Sequence, residues 1–203
     1  LLVRRDTDGA RMSISLSYRP TLIDRVVPRS IVSDIALVLA GATVTAVSAQ
    51  IAIPMIPVPI TGQTFAVLLV GSVLGLTRGS LALMLYFVMG AAGLPVFTGA
   101  ASGITFGATF GYLVGFIFAA GLTGWLAQRN WDRKVLGVVG SFLAGNTVIY
   151  LFGLPWLSFV LGADLVTTLQ FGLAPFIVGD LIKIAVAAAL LPMAWRASKY
   201  LKH

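Results

Sequence analysis

Long apolar runs separated by short polar or proline-rich breaks dominate the chain. A helix needs about 20 apolar residues to cross a bilayer, and a few fewer where the core is thin. The pattern predicts six spans, over about Ile31–Ile53, Gln63–Leu76, Gly79–Leu94, Phe110–Ala127, Val135–Phe152 and Ala174–Trp195. After the first, Pro54-Met55-Ile56-Pro57-Val58-Pro59 cannot be helical, because three prolines remove donors and fix the backbone. A tight turn at Thr77-Arg78 is expected to join the second and third spans. Pro95–Thr109 is uncharged and rich in Gly, Ala, Ser and Thr, and reads as an outer loop. Pro155–Gln170, mostly apolar with Asp164, reads as another, holding a short interfacial helix. Residues 1–29 are polar and arginine-rich without the apolar core of a signal peptide, so they read as a cytoplasmic tail. Met12 reads as the native start, with residues 1–11 an appended stretch. Residues 30–203 form the membrane domain.

Composition sharpens this picture. Of 203 residues, 58% are apolar and 10% charged, and the mean hydropathy is +0.97. A soluble protein carries about 25% charged residues, so soluble enzymes, nucleic-acid readers and disordered tails are excluded. Cysteine is absent, which removes disulfides and thiolate metal sites. Glutamate is absent as well, and the single histidine is His203.

The net charge of +7 is a matter of position. Arg4, Arg5, Arg11, Arg19, Arg25 and Arg29 precede the first span. Arg78 follows the second, Arg129, Arg133 and Lys134 the fourth, and Arg196, Lys199 and Lys202 the last. Only Lys183 lies inside an apolar run, and the connections after the first, third and fifth spans have no Lys or Arg. By the positive-inside rule both termini are cytoplasmic and the number of spans is even. The basic excess therefore speaks of a lipid bilayer as partner and not of nucleic acid.

Small residues recur four apart: Gly71, Gly75 and Gly79, then Gly107, Gly111 and Gly115. Such rows let membrane helices approach closely, and here they read as internal packing. Ala36 and Ala40, with Ala42 and Ala46, form similar stripes on the first span, fit either for internal packing or for docking a partner helix.

Strongly polar side chains are scarce in the apolar runs, so each is informative. Asp180 and Lys183 are three apart and share one helix face. A charge at mid-membrane costs about 2.5–3.5 kcal/mol on insertion scales, and such residues tend to be functional. The pair reads either as a self-satisfied ion pair fixing helix packing or as the anchor for a polar ligand just below the outer surface. Gln63, at the outer end of the second span, points to the same region, as do Asn146 and Tyr150, four apart on the fifth. Phe97, Tyr112 and Trp156 lie at outer ends of neighbouring segments and are read either as an interfacial belt or as walls of a cavity. Together these residues predict a small, mostly apolar pocket near the outer face, with a few orienting polar groups.

Catalysis fits badly. Gly179-Asp180 lacks the first glycine of the intramembrane aspartyl protease motif, since Ile177 stands there, and no partner Tyr-Asp pair exists. Ser102 sits in a glycine-rich loop with no internal histidine to activate it. His, Cys and clustered carboxylates for a metal are missing, as is a Walker-type phosphate loop. A binding protein is expected, with no cofactor of its own.

Five motifs in order carry a resemblance. They are Pro57-Val58-Pro59-Ile60-Thr61-Gly62-Gln63-Thr64-Phe65, Gly93-Leu94-Pro95-Val96-Phe97, Gly111-Tyr112-Leu113-Val114-Gly115-Phe116, Gly153-Leu154-Pro155-Trp156-Leu157 and Gly179-Asp180-Leu181-Ile182-Lys183. Over about residues 30–196 the chain resembles the BioY family, the biotin-capture S components of energy-coupling factor transporters. The resemblance implies an all-α, six-helix integral subunit of the bacterial cytoplasmic membrane that binds biotin near its outer face. It implies ligand contacts from Asp180 and Lys183, a cap formed by the first outer loop, and contacts from the 98–112 region, where some members carry an Arg or Asn and this chain has Tyr112 and small residues such as Ser102. Partners so implied are a transmembrane coupling subunit, docked on the small residues Ala36 and Ala40, and a pair of cytoplasmic ATPases that alone use ATP. The glycine-rich loop departs from the pattern: Gly107-Ala108-Thr109-Phe110-Gly111 stands where the family commonly has Gly-Pro-Thr-Gly-Gly. With no arginine in any outer loop, Lys183 is the one cation available to a ligand carboxylate. The alternatives are an S component for another small vitamin, and a membrane channel or scaffold without a high-affinity ligand.

Overall fold

The computed structural model describes residues 20–104, 106–198 and 200. The expected native start at Met12, the arginines before residue 20, Lys199, Lys202 and His203 lie outside the described residues. In chain order the elements are α1 (Ile31–Gln50), a short antiparallel pair β1 (Ala52–Ile53) and β2 (Ile60–Thr61), α2 (Gln63–Leu74), α3 (Leu76–Ala91), α4 (Phe110–Ala127), α5 (Val135–Leu161), α6 (Leu165–Gly172) and α7 (Ile177–Ala197).

Local chemistry sets the ends. Ser30 caps α1 by accepting the Ser33 N–H (3.0 Å), and the Ser33 hydroxyl accepts the Ser30 N–H (2.9 Å), satisfying two otherwise orphaned donors. The triple-proline stretch is the loop of the β1–β2 hairpin, with Ala52 opposite Thr61 and Ile53 opposite Ile60. The reversal between α2 and α3 falls at Gly75 (φ +87°) and not at Thr77-Arg78, which form the first turn of α3. That φ is open to glycine and strained for residues with a Cβ. α5 continues past Phe152 and through Pro155 to Leu161, ending at Gly162 in the left-handed conformation. Pro155 lies on its exposed side while Gly153 and Leu157 stay buried, so packing holds the helix across the missing donor. The short helix expected after it is α6, capped by Asp164 through the Thr167 N–H (3.2 Å).

α4 is the central helix, packed on α2, α3 and α5; α1 lies outside on α2 and α3, and α7 packs on α5 and α2. Glycines permit these approaches. A Cβ at Gly115 would lie 3.0 Å from the Cα of Ile149, and one at Gly79 would lie 2.9 Å from the Cα of Gly71. Among the described residues Gly107 has no such neighbour within 4 Å, whereas Gly111 and Gly115 of its row serve packing. α1, α4, α5 and the stretch Leu165–Ala197 are long and apolar enough to cross a membrane. α2 and α3, with 12 and 16 residues, extend about 18 and 24 Å, short of the ~30 Å hydrocarbon core.

Two ionic clusters, neither anticipated from the pattern, close one end of the bundle. Asp24 accepts from the Thr21 N–H (2.8 Å) and hydroxyl (2.7 Å), from Arg29 Nε (3.0 Å) and from Arg78 Nη1 (2.9 Å). Arg78 Nη2 also lies 2.6 Å from Asp34 Oδ1. Thr21 is fully buried, so this segment is packed onto the α2–α3 turn. At the α4–α5 connection, the Trp195 indole of α7 donates to Asp132 Oδ2 (2.5 Å), with Arg133 over the same ring at 4.2 Å. Burial pushes the Asp132 carboxyl up to about 6, against the lowering pull of the indole and Arg133.

Candidate ligand-binding site

At the opposite end of the bundle lies a cavity of about 270 Å³. It is bounded by the hairpin and the start of α2, the end of α3, the loop before α4, the start of α4, the middle of α5 and the start of α7. Its volume falls near the lower end of small-ligand sites.

One wall is polar. Lys183 Nζ donates to the Thr61 carbonyl (2.8 Å) and to Thr64 Oγ1 (2.7 Å), joining α7 to β2 and α2. Asp180 Oδ1 lies 3.6 Å from the same ammonium, and Asp180 Oδ2 accepts from the Tyr150 hydroxyl (2.5 Å). Lys183 and Tyr150 line the cavity, whereas Asp180 stands behind them, 6% exposed, with no hydrogen bond to Oδ1 among the described residues. Lys183 is the one cation among the lining residues. A buried carboxylate and a half-buried ammonium on successive turns stabilise each other's charge, and the lysine presents its charge to the cavity.

Gln63 forms a second polar node. Its Nε2 donates to the Tyr86 hydroxyl (2.5 Å), and its Oε1 accepts from the Thr98 hydroxyl (3.1 Å) and, more distantly, from that of Thr61 (3.3 Å). One amide thereby links α2, α3 and the loop before α4. The remaining walls are apolar: Phe97, edge-on to Tyr86 at 5.5 Å between centroids, with Phe110, Phe116, Ile149 and Phe176. Tyr112 also lines the cavity and donates its hydroxyl to the Gly172 carbonyl (2.9 Å), tying α4 to the end of α6.

Of the residues singled out from the sequence, Gln63, Phe97, Tyr112, Tyr150 and Lys183 converge on the cavity, with Asp180 behind them. Asn146 is buried one turn along α5 from Tyr150 and is not among the lining residues. Ser102 is exposed, although its neighbours Ala101 and Gly103 line the cavity. Trp156 stands outside the lining too. Its indole donates to the Gly107 carbonyl (2.9 Å) and its ring packs on Phe110 at 4.9 Å, so it anchors the loop. Ala36 and Ala40 are exposed on α1, while Ala42 is buried and Ala46 partly so.

Thr61, Thr64, Thr98 and Tyr86 were not singled out. A signal existed for the first two, a polar cluster flanking Gln63 after the prolines, but nothing local marked the others. A cation, an amide and hydroxyls facing aromatic walls suit a small, largely apolar ligand with an anionic end. Among the described residues no cluster of His, Cys, Asp or Glu is arranged to hold a metal ion.

Comparison with known proteins agrees with this geometry. The BioY family model matches residues 17–200. The biotin transporter BioY of Rhizobium etli is 39% identical over 149 residues, covering 69% of this chain and 79% of that protein. The probable biotin transporter BioY of Pyrococcus horikoshii is 37% identical over 159 residues, covering 77% and 93%. The biotin transporter BioY of Thermotoga maritima is 40% identical over 146 residues, covering 71% and 85%. Among solved structures, the S-component for biotin from an ECF-type ABC transporter, a crystal structure at 2.1 Å, superposes with a TM-score of 0.70. It shares 25% identity over 81% of this chain and 92% of that one. Matching over nearly the whole membrane region, with the S-component fold, the chain belongs to the BioY family.

Proposed function

We propose that this chain captures biotin for uptake, as the S component of an energy-coupling factor transporter. The observation that carries the reading is Lys183: a half-buried ammonium, the one cation among the described lining residues of a largely apolar cavity, steadied by Asp180 and by Thr61 and Thr64. Biotin matches that arrangement in kind, with a carboxylate at one end of an apolar chain and a polar ring at the other. The names of the relatives and of the superposed S-component support the same ligand.

In this reading residues 30–203 form a six-helix domain in the bacterial cytoplasmic membrane, with residues 1–29 on the cytoplasmic side. Both termini are cytoplasmic and the cavity is near the outer face. The gathering of Arg78, Arg129, Arg133, Lys134 and Arg196 at the end away from the cavity supports that orientation. The exposed alanines Ala36 and Ala40 offer the docking face for a transmembrane coupling subunit, which a cytoplasmic ATPase pair drives. The chain itself uses no cofactor.

The test is to denature the purified protein, identify released small molecules by mass spectrometry, and titrate the emptied protein with biotin by calorimetry. Release of biotin and saturable one-to-one rebinding is the expected result. Release of another vitamin would reassign the ligand, and repeated emptiness with no biotin binding would leave a channel or scaffold.

A further inference from the structure

Gln50, the last residue of α1, is exposed, yet its amide grips a loop far away in sequence. Its Nε2 donates to the Phe97 carbonyl (3.0 Å), and more weakly to that of Val96 (3.4 Å), besides the Ala46 carbonyl of its own helix (3.1 Å). Its Oε1 accepts from the Ala100 N–H (3.0 Å). The gripped segment carries Phe97, Thr98 and Ala101 onto the cavity wall. On its inner side the same segment is held by Thr98, whose hydroxyl donates to Gln63. Two glutamines, one inside and one outside, therefore clasp the loop over the cavity.

The clasped conformation is not one the loop favours alone. Ala100 has φ +58°, in the left-handed region that a side chain with a Cβ populates at a cost, directly after Gly99 at φ +70°. Such a conformation persists when surrounding contacts over-determine it. Here the Ala100 N–H is the group bonded to Gln50, and the Phe97 N–H closes the loop on the Ala101 carbonyl (3.1 Å). Neutral hydrogen bonds at an exposed edge are each worth about two- to tenfold in an equilibrium. That is strong enough to keep a strained loop shut and weak enough to let it open.

We propose that Gln50 is a positioning residue for ligand retention, an amide latch that holds the 96–101 loop over the cavity and sets the rate at which ligand leaves. The latch sits at the end of the helix whose exposed face was assigned to partner docking, so a displacement of α1 would release it. The inference rests on the biotin reading above, and its test separates the two. Labelled biotin is bound to the purified full chain, chased with unlabelled biotin, and followed in time for the unmutated protein, Gln50→Met and Gln50→Glu. Methionine keeps length and loses all three bonds to the loop; glutamate sets an oxygen against the Val96 and Phe97 carbonyls. Both variants should release biotin about five- to thirtyfold faster, with association changed by less than about twofold. The unfolding midpoint of the biotin-free protein should stay within about 3 °C. Release at the unmutated rate in both variants overturns the latch. So does a faster release accompanied by an equal loss in association and a large drop in midpoint, which would mark Gln50 as merely structural. Failure of the unmutated protein to bind biotin overturns the ligand reading itself, and the latch with it.

Discussion

Replacing Lys183 by methionine separates an anchor for ligand from an ion pair that only holds helices together. Methionine keeps most of the unbranched apolar stem of the side chain and deletes the ammonium, which bonds Thr61 and Thr64 and lies 3.6 Å from Asp180. Removing one member of a buried pair costs about 3–5 kcal/mol, because the other charge is left uncompensated. Lys183 retains 19% side-chain exposure, so the lower end of that range applies. Lys183→Met should therefore lower the unfolding midpoint, and adding Asp180→Asn should recover most of the loss. Binding is a separate matter. A charge-assisted hydrogen bond contributes about 1.5–3 kcal/mol, or roughly tenfold to a hundredfold in affinity. If Lys183 meets the carboxylate, calorimetry should find biotin weakened by that factor in Lys183→Met and in the double variant. Biotin amide, which lacks the charge, should lose little there and should bind the unmutated protein less well by a similar factor. Asp180→Asn alone should weaken biotin and leave its amide little changed, because Asp180 stands behind the cavity wall and acts through Lys183. Equal loss for biotin and its amide on Lys183→Met would refute the carboxylate role and return the pair to helix packing.

Ala36→Leu with Ala40→Leu should leave biotin affinity unchanged while blocking uptake by the assembled transporter, since bulk on the exposed face of α1 prevents close helix approach; undiminished uptake in a coupling-dependent assay would remove that face from docking. Gly115→Val should lower the unfolding midpoint steeply or prevent folding, because its Cβ would meet the Ile149 backbone at 3.0 Å. Gly107→Ala, from the same row, should be near neutral because no neighbour among the described residues lies within 4 Å; thermal unfolding in detergent reads both. Asp132 titrates near 6 in the folded protein against 3.8 for the free side chain, owing to burial. The folded state keeps a proton that the unfolded chain gives up, so stability should fall as pH rises from about 4 to about 6 and level off above. Asp132→Asn should flatten that slope in a pH series of unfolding midpoints, and an unchanged slope would place the titration elsewhere.

What the sequence determined by itself was whatever follows from local composition in a bilayer. An apolar run must satisfy its own backbone, so α4 begins and ends where its apolar run does, at Phe110 and Ala127. The Asp180–Lys183 pair was legible because two ionisable residues three apart in an apolar helix share a face. Family membership was legible as well, through five short motifs in order. Tertiary contacts decided the rest. α5 crosses Pro155 because burial of Gly153 and Leu157 outweighs one lost donor, a balance invisible to a rule about proline. Sharing a helix face put Asn146 and Tyr150 together on paper, but the cavity ends above Asn146, and only packing draws that edge. The bonds from Lys183 to Thr61 and Thr64, and from Gln50 to Phe97 and Ala100, join residues far apart in the chain. Lysine and glutamine carry no preference for such partners until helix packing brings the donors and acceptors within reach, so the polar wall and the loop clasp exist only in the folded protein.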